Sequence, residues 1–170
     1  ERMRRHAATA PEPLRGVVEE CTGTIVGEVE SLKGLVDEFS QFARMPAPRA
    51  VSTDLHALVD DVLGLYRGIF TDVDVRYLPG DGVPRVSVDP EQFRRVLINV
   101  IDNAIEAIQQ HGTIEITTQF DPSNRLVRHV VSDDGPEIPA SERDKLFLPY
   151  YSTKRRGSGL GLAIVRRIVA

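Results

Sequence analysis

A single cysteine, Cys21, excludes an internal disulfide framework. Long apolar runs are missing too: no stretch approaches the roughly 18 residues of a membrane-spanning helix. The four histidines, His6, His56, His111 and His129, stand far apart without ligand spacing, which argues against a metal cluster built on them. A surplus of positive charge is also absent. Lys and Arg number 21 against 25 Asp and Glu, a formal charge of −4, so general attraction to nucleic acid is not expected, although Lys154-Arg155-Arg156 forms a local basic patch able to meet phosphate. No secretory leader and no initiator Met are present, and "ERMRRHAATAP" reads like the tail of a helix already under way, so a piece of a longer protein is expected. What remains, 41% hydrophobic and 27% charged over 170 residues, suffices for one compact domain plus an appended element.

Two regions meet at a proline joint. In residues 17–45 the apolar positions Val18, Cys21, Ile25, Val29, Leu32, Val36, Phe39 and Ala43 recur at spacings of 3, 4, 4, 3, 4, 3 and 4, close to a heptad with one stutter. Such a helix cannot bury its seam alone. Either it lies on its own globular domain or it belongs to a helical hairpin that dimerises. Gly23, Gly27 and Gly34 each cost about 1 kcal/mol against Ala in a helix interior, so packing must hold it. "MPAPRA" stops it, since each proline disfavours helix before itself.

The second region mixes helices and strands. "STDLHALVDDVLGLYRGIF" carries polar cap candidates and apolar residues at helical spacing, while "VDVRYL" and "RVSV" read as strands. Asp89-Pro90-Glu91-Gln92 is a strong helix start, with a capping carboxylate, proline at the first helical position and Gln92 three residues after the cap. The helix it opens, about 90–110, places Phe93, Val96, Leu97, Val100, Ile101, Ala104 and Ile108 on its apolar side. "TIEITTQF" and "RLVRHVVS" alternate as a hairpin around "DPSN". The expected fold class is α+β, a sandwich with helices on one face of a sheet.

On the 90–110 helix, Asn99 and Asn103 lie four apart on one face, flanked by Asp102 and Glu106. This stripe is either a solvated face or a set of neutral oxygen ligands suited to a hard cation beside phosphate. "VVSDDG" delivers Asp133 at a strand end, where its carboxylate either shapes an ordinary Asp-Gly turn or accepts a hydrogen bond from an exocyclic amine. "GSGLGLAIV" sets Gly157, Gly159 and Gly161 directly before an apolar helix, whose free backbone N–H groups can hold phosphate. No Lys-Ser/Thr follows as in a P-loop, and no strand runs straight into it as in a dinucleotide-binding turn.

In this order, "RRVLINVIDNAIEAI", "VSDDGPEIP", "LFLPYYSTK" and "GSGLGLAIV" resemble the asparagine, first glycine, phenylalanine and second glycine boxes of sensor histidine kinases. That family shares the Bergerat ATP-binding fold with gyrase B, Hsp90 and MutL. "VDEFSQFARMPAP" and "STKRRGSGLGLAIV" further resemble nitrogen-regulation sensors of the NtrY type, and the resemblance covers almost the whole chain. It implies two parts: 1–46, the C-terminal portion of a dimerisation and histidine-phosphotransfer hairpin, and 51–170, a Bergerat-type ATP-binding domain whose final strands lie outside this sequence. The fold is thus expected to be truncated at both ends. ATP and magnesium are the implied cofactors. The implied partners are a second copy through the 17–45 helix and a response regulator, with no nucleic acid, and with the membrane reached only through segments outside this chain. The chain would be the cytoplasmic portion of a membrane-bound bacterial sensor.

Residue by residue, the resemblance makes Asn103 the magnesium ligand and Asn99 a second polar group near the phosphates. Asp133 would read the adenine amine, and Gly135, Gly157, Gly159, Leu160 and Gly161 would bring backbone close to the nucleotide. Phe147 would anchor a mobile lid, about 139–157, whose Lys154 and Arg156 reach phosphate oxygens; Asn99 and Lys154 carry the catalytic expectation. Three departures stand out. Glu137 occupies the second glycine position of Asp-x-Gly-x-Gly, putting a negative charge near the nucleotide. The phosphoacceptor histidine is missing, since His6 is followed by Ala7-Ala8-Thr9 rather than by the family's acidic and basic residues. The family's last strands would follow "RRIVA". Two alternatives therefore accompany the kinase: a nucleotide-poor dimeric scaffold, and a gyrase- or MutL-type ATPase, against which Asn99 stands where that subgroup has a glutamate base.

Overall fold

The computed structural model describes residues 12–70, 72–108, 111–153 and 157–170. The chain divides into two compact units, residues 1–45 and 46–170.

Among its described residues the first unit contributes one helix, α1 (Glu12–Ala43), 32 residues long. The side chains of its near-heptad seam are largely exposed: Ile25, Val29, Leu32 and Val36 lie between 57% and 61% exposed. An Arg15–Glu19 pair at 3.8 Å and a Thr22 hydroxyl that donates to the Val18 carbonyl at 2.6 Å are local supports. They are too weak to hold so long an isolated helix.

The second unit runs β1 (Val51–Thr53), α2 (Leu55–Gly64), β2 (Val73–Pro79), β3 (Val86–Val88), α3 (Pro90–Ala107), β4 (Gly112–Asp121), β5 (Leu126–Asp133), α4 (Ala140–Arg143) and α5 (Gly161–Val169). Strands β2, β4 and β5 form one sheet in that order, with β2 parallel to β4 and β4 antiparallel to β5. Strands β1 and β3 form a separate antiparallel ribbon. The core lies between helices and sheet. Leu58, Val59 and Val62 of α2 and Leu97, Ile101 and Ala104 of α3 meet Ile114 and Ile116 of β4. The alternation of β4, with Ile114, Ile116 and Thr118 fully buried and Glu115 and Gln119 exposed, is what a sheet covered on one face requires.

Both helix starts are capped by aspartate. Asp54 accepts from the His56 and Ala57 amides at 3.0 and 3.2 Å, so Ser52 and Thr53, expected as helix or cap, belong to β1 instead. Asp89 accepts from the Glu91 and Gln92 amides at 3.0 and 3.1 Å and from the Arg49 amide at 2.7 Å. Gln92 does not complete a capping box. Its amide donates instead to the Pro46 carbonyl at 3.0 Å, tying the start of the unit to α3. Both helices are shorter than their sequence periodicity suggests. Past Gly64 the amides of Leu65 and Tyr66 bond only three residues back and the helix unwinds into turns. At Ile108 the backbone goes extended, which lets that side chain pack on the core before β4 begins. The β4–β5 hairpin forms as expected: Asp121 caps its turn by accepting from the Ser123 and Asn124 amides, and Arg125 takes the left-handed conformation.

Candidate functional site

Helix α3 supplies one wall. Asn99 and Asn103 are half-buried on one face, and the first turn of α5 sits against them. A Cβ added to Gly161 would stand 2.9 Å from Asn99 Oδ1 and 3.9 Å from Asn103 Nδ2, so glycine is what permits this approach. The amide of Asn99 donates back to the Arg95 carbonyl at 2.8 Å, which turns its oxygen toward α5. Among the described residues no side chain caps α5: Leu160, 1% exposed, occupies the cap position, and the first-turn N–H groups have no intrahelical acceptor. An uncapped helix start beside two carboxamides is an anion-binding geometry. The exposed Asp102, next to Asn103, accepts from the Tyr66 hydroxyl at 2.8 Å. Burial, and then the nearby Asp102 carboxylate, push the Tyr66 phenol well above its ordinary range, so it remains a donor.

The turn after β5 adds the second wall. Asp133 ends the strand exposed, and its Oδ1 accepts from the Gly135 amide at 3.0 Å. Its neighbour Asp134 is committed to the scaffold: both its oxygens accept from the Thr113 amide at 3.0 Å. Gly135 lies against the end of α3, where an added Cβ would stand 3.0 Å from Ala107 Cβ. Thus Asn99, Asn103 and Gly161 cluster midway along α3, with Asp133 and Gly135 at its C-terminal end.

Between these walls the chain forms α4 and a series of turns. Glu137 is exposed and paired with Arg143 of α4 at 2.5 Å, and Arg143 also donates to the Ile138 carbonyl at 3.2 Å. The charge that departs from the family pattern therefore has a cation beside it. Sequence reading missed Arg143; the available signal was a basic residue six positions on, across a helix start at Pro139. Phe147 is 40% exposed. Gly159, with φ of +67°, meets Tyr150, whose own φ is 65° and whose amide donates to the Gly159 carbonyl at 3.0 Å. A Cβ at Gly159 would stand 2.6 Å from the Tyr150 carbonyl carbon, so the glycine closes this loop base. Gly157 precedes it, exposed and outside any helix. Lys154 and Arg156 lie outside the described residues. Among the described residues no three His, Cys, Asp or Glu side chains gather as a metal-binding group, so a cation here would rest on amide oxygens and on oxygens of its ligand.

The family profile described as "Histidine kinase-, DNA gyrase B-, and HSP90-like ATPase" matches residues 88–170, which contain Asn99, Asn103, Asp133, Gly135 and the start of α5. The solved catalytic domain of histidine kinase ThkA is 34% identical, with a TM-score of 0.64, over 71% of this chain and 80% of that one. This chain belongs to the sensor histidine kinases. Sensor histidine kinase ZraS of Escherichia coli is 32% identical over 92% of the chain and 34% of its own length. Nitrogen regulation protein NtrY of Azorhizobium caulinodans is 31% identical over 99% of the chain and 22% of its own length. This histidine kinase chain therefore spans about a third of the first relative and less than a quarter of the second. ThkA has also been solved in complex with response regulator protein TrrA; that structure is 29% identical with a TM-score of 0.72, over 98% of this chain and 47% of that one. Among the described residues no helix is long and apolar enough to cross a membrane.

Proposed function

We propose that residues 51–170 bind Mg-ATP, and that residues 1–46 are part of a dimerising helical hairpin that presents a histidine, upstream of this sequence, to the γ-phosphoryl group. The phosphoryl group then passes to a response regulator, the partner class seen with ThkA. The observation that carries this reading is the uncapped start of α5 lying on the Asn99–Asn103 face, with Gly161 leaving the space a side chain would fill.

The residues present fit the nucleotide. The N–H groups at Gly161 and Leu162 would hold phosphate, and Asp133 would accept from the adenine amine through its oxygen not taken by Gly135. Asn103 would hold magnesium through its amide oxygen, and Asn99 would orient the phosphates. Lys154 and Arg156 would add cations from the lid, and Phe147 would anchor it. Bound Mg-ATP supplies a transferable phosphoryl group with its charge partly neutralised; the chain contributes position and electrostatics. In the whole protein this core would stand on the cytoplasmic side of a membrane sensor.

Calorimetric titration with Mg-ATP tests the binding step, with saturable one-site binding expected and weakened by Gly161→Val. Labelled Mg-ATP should leave this chain without a stable label, whereas a longer version carrying the upstream histidine and further C-terminal residues should form an acid-labile phosphoramidate. Stable labelling of His6 would overturn the assignment. A second reading, a nucleotide-poor dimeric scaffold, is favoured by Glu137 in place of the family's glycine; absence of ATP binding by both the wild type and Glu137→Gly would select it.

A further inference from the structure

A polar chain crosses the layer between helices and sheet. His56 Nδ1 on α2 lies 2.6 Å from the Tyr77 hydroxyl on β2, which lies 3.2 Å from the Thr118 hydroxyl on β4, which lies 2.9 Å from His129 Nδ1 on β5. Thr118 is fully buried and directly opposite His129 in the strand register. The far nitrogen of His129, Nε2, is buried without a hydrogen-bond partner among the described residues. We propose that this four-residue chain is a proton-sensitive clamp that holds α2 to all three strands of the sheet at neutral pH and loosens that packing when His129 takes up a proton while His56 also carries one.

Counting protons shows why the clamp accepts so few. With both imidazoles neutral, the bonds run in one direction. Either His56 donates to Tyr77, Tyr77 to Thr118 and Thr118 to His129, or the whole chain reverses. Every bond is then made with one hydrogen each. A proton added at one histidine fixes the direction and obliges the other to accept. Two added protons leave a hydroxyl hydrogen without an acceptor along the chain, in a site where an unpaired donor is costly.

The surroundings favour the neutral form. The His129 ring stands edge-on to Phe93 of α3, with centroids 6.2 Å apart, so that helix offers an apolar ring there. From the α2 side the facing groups are His56, a like charge when protonated, and Asp54 and Asp60, whose carboxylates act on Tyr77. β2 contributes the Tyr77 phenol, raised from its ordinary value chiefly by burial, and β4 the Thr118 hydroxyl. Burial first, and His56 second, hold the His129 imidazole below its ordinary value of 6.5. The sign follows. The unfolded chain takes up this proton at a higher pH than the folded one. The clamp's contribution is thus fully present above pH 6.5 and is lost as pH falls through the lower folded value.

The inference does not depend on nucleotide binding. Urea unfolding of the 170-residue chain between pH 8 and pH 5, compared with His129→Phe, isolates the group. Below pH 6.5 the wild-type folding constant should fall relative to the variant's by a factor approaching about ten per pH unit. In the wild type, followed by NMR, the His129 ring should titrate below 6.5, and His56→Gln should move its midpoint upward. The ring titration requires no variant, so it decides the matter even where His129→Phe does not fold. A midpoint at or above 6.5, or parallel pH dependences for wild type and variant, overturns the proposal.

Discussion

Helix α1 and helix α3 both show regular apolar spacing, yet the two stripes meet different fates. In α3 the stripe is closed off: Leu97 and Ile101 are 1% and 0% exposed, packed on α2 and β4. In α1 Leu32 and Val36 remain 60% and 61% exposed. Periodicity names the face a helix wants to bury and says nothing of what buries it. A contiguous exposed apolar seam of this length is unusual without a partner surface. The heptad-like spacing supports a second helix as that surface, which is the dimeric hairpin proposed above.

The sharpest way to break the comparison is to mutate both stripes. Ile101→Ala should destabilise the 46–170 unit by about 2–5 kcal/mol, the cost of a core cavity, as read by urea unfolding. Leu32→Ala should leave that unit's transition within about 0.5 kcal/mol of wild type. If the two variants cost the same, α1 is a core element of a single folding unit and the contrast collapses. Next in size is Leu32→Glu, which places a charge in the seam. Light scattering at tens of micromolar should show the wild type dimeric and this variant shifted toward monomer. A monomeric wild type would mean that the seam does not pair with a second copy.

What was legible in the sequence follows the same division between local and distant. The Asp89 cap, the Asp121 turn and most of the apolar face of α3 depend on residues within a few positions and appear as read, although Val100 stays outside the core packing and Ile98 and Ile105 join it. The parallel pairing of β2 with β4 and the β1–β3 ribbon join residues 33 to 39 positions apart, and local propensity has no access to such pairings. In the site, box motifs pointed to Asn99, Asn103, Asp133 and the glycines. They did not reveal that Gly161 is needed for space beside Asn99, nor that Arg143 stands by Glu137. Gln92 illustrates the limit: its position suggested a capping box, and its side chain bonds Pro46, 46 residues away.

A smaller effect sharpens the comparison within the site. Asp133→Asn keeps an oxygen that can accept from the adenine amine but removes its charge, and with it part of the hold on the Gly135 amide. Mg-ATP affinity should fall about tenfold, the difference between a charged and a neutral hydrogen bond. Unchanged affinity in the calorimeter would remove Asp133 from the site.

The smallest effect is expected at Glu137. Taken alone, a carboxylate in place of glycine repels a nucleotide, and by Coulomb's law at intermediate dielectric its removal would tighten ATP ten- to a hundredfold. The structure reduces that expectation, because Glu137 is paired with Arg143 and both are largely solvent-exposed, where screening is strong. Glu137→Gly should tighten Mg-ATP by no more than about fivefold, the scale of an exposed ion pair. The part of the change due to freeing Arg143 should vanish in the Glu137→Gly, Arg143→Gln double variant. A gain of a hundredfold would mean that the pair breaks when nucleotide binds and that the full charge of Glu137 then faces the phosphates. A loss of affinity would mean that the pair holds the 137–143 segment in its binding shape, giving this departure from the family pattern a structural role.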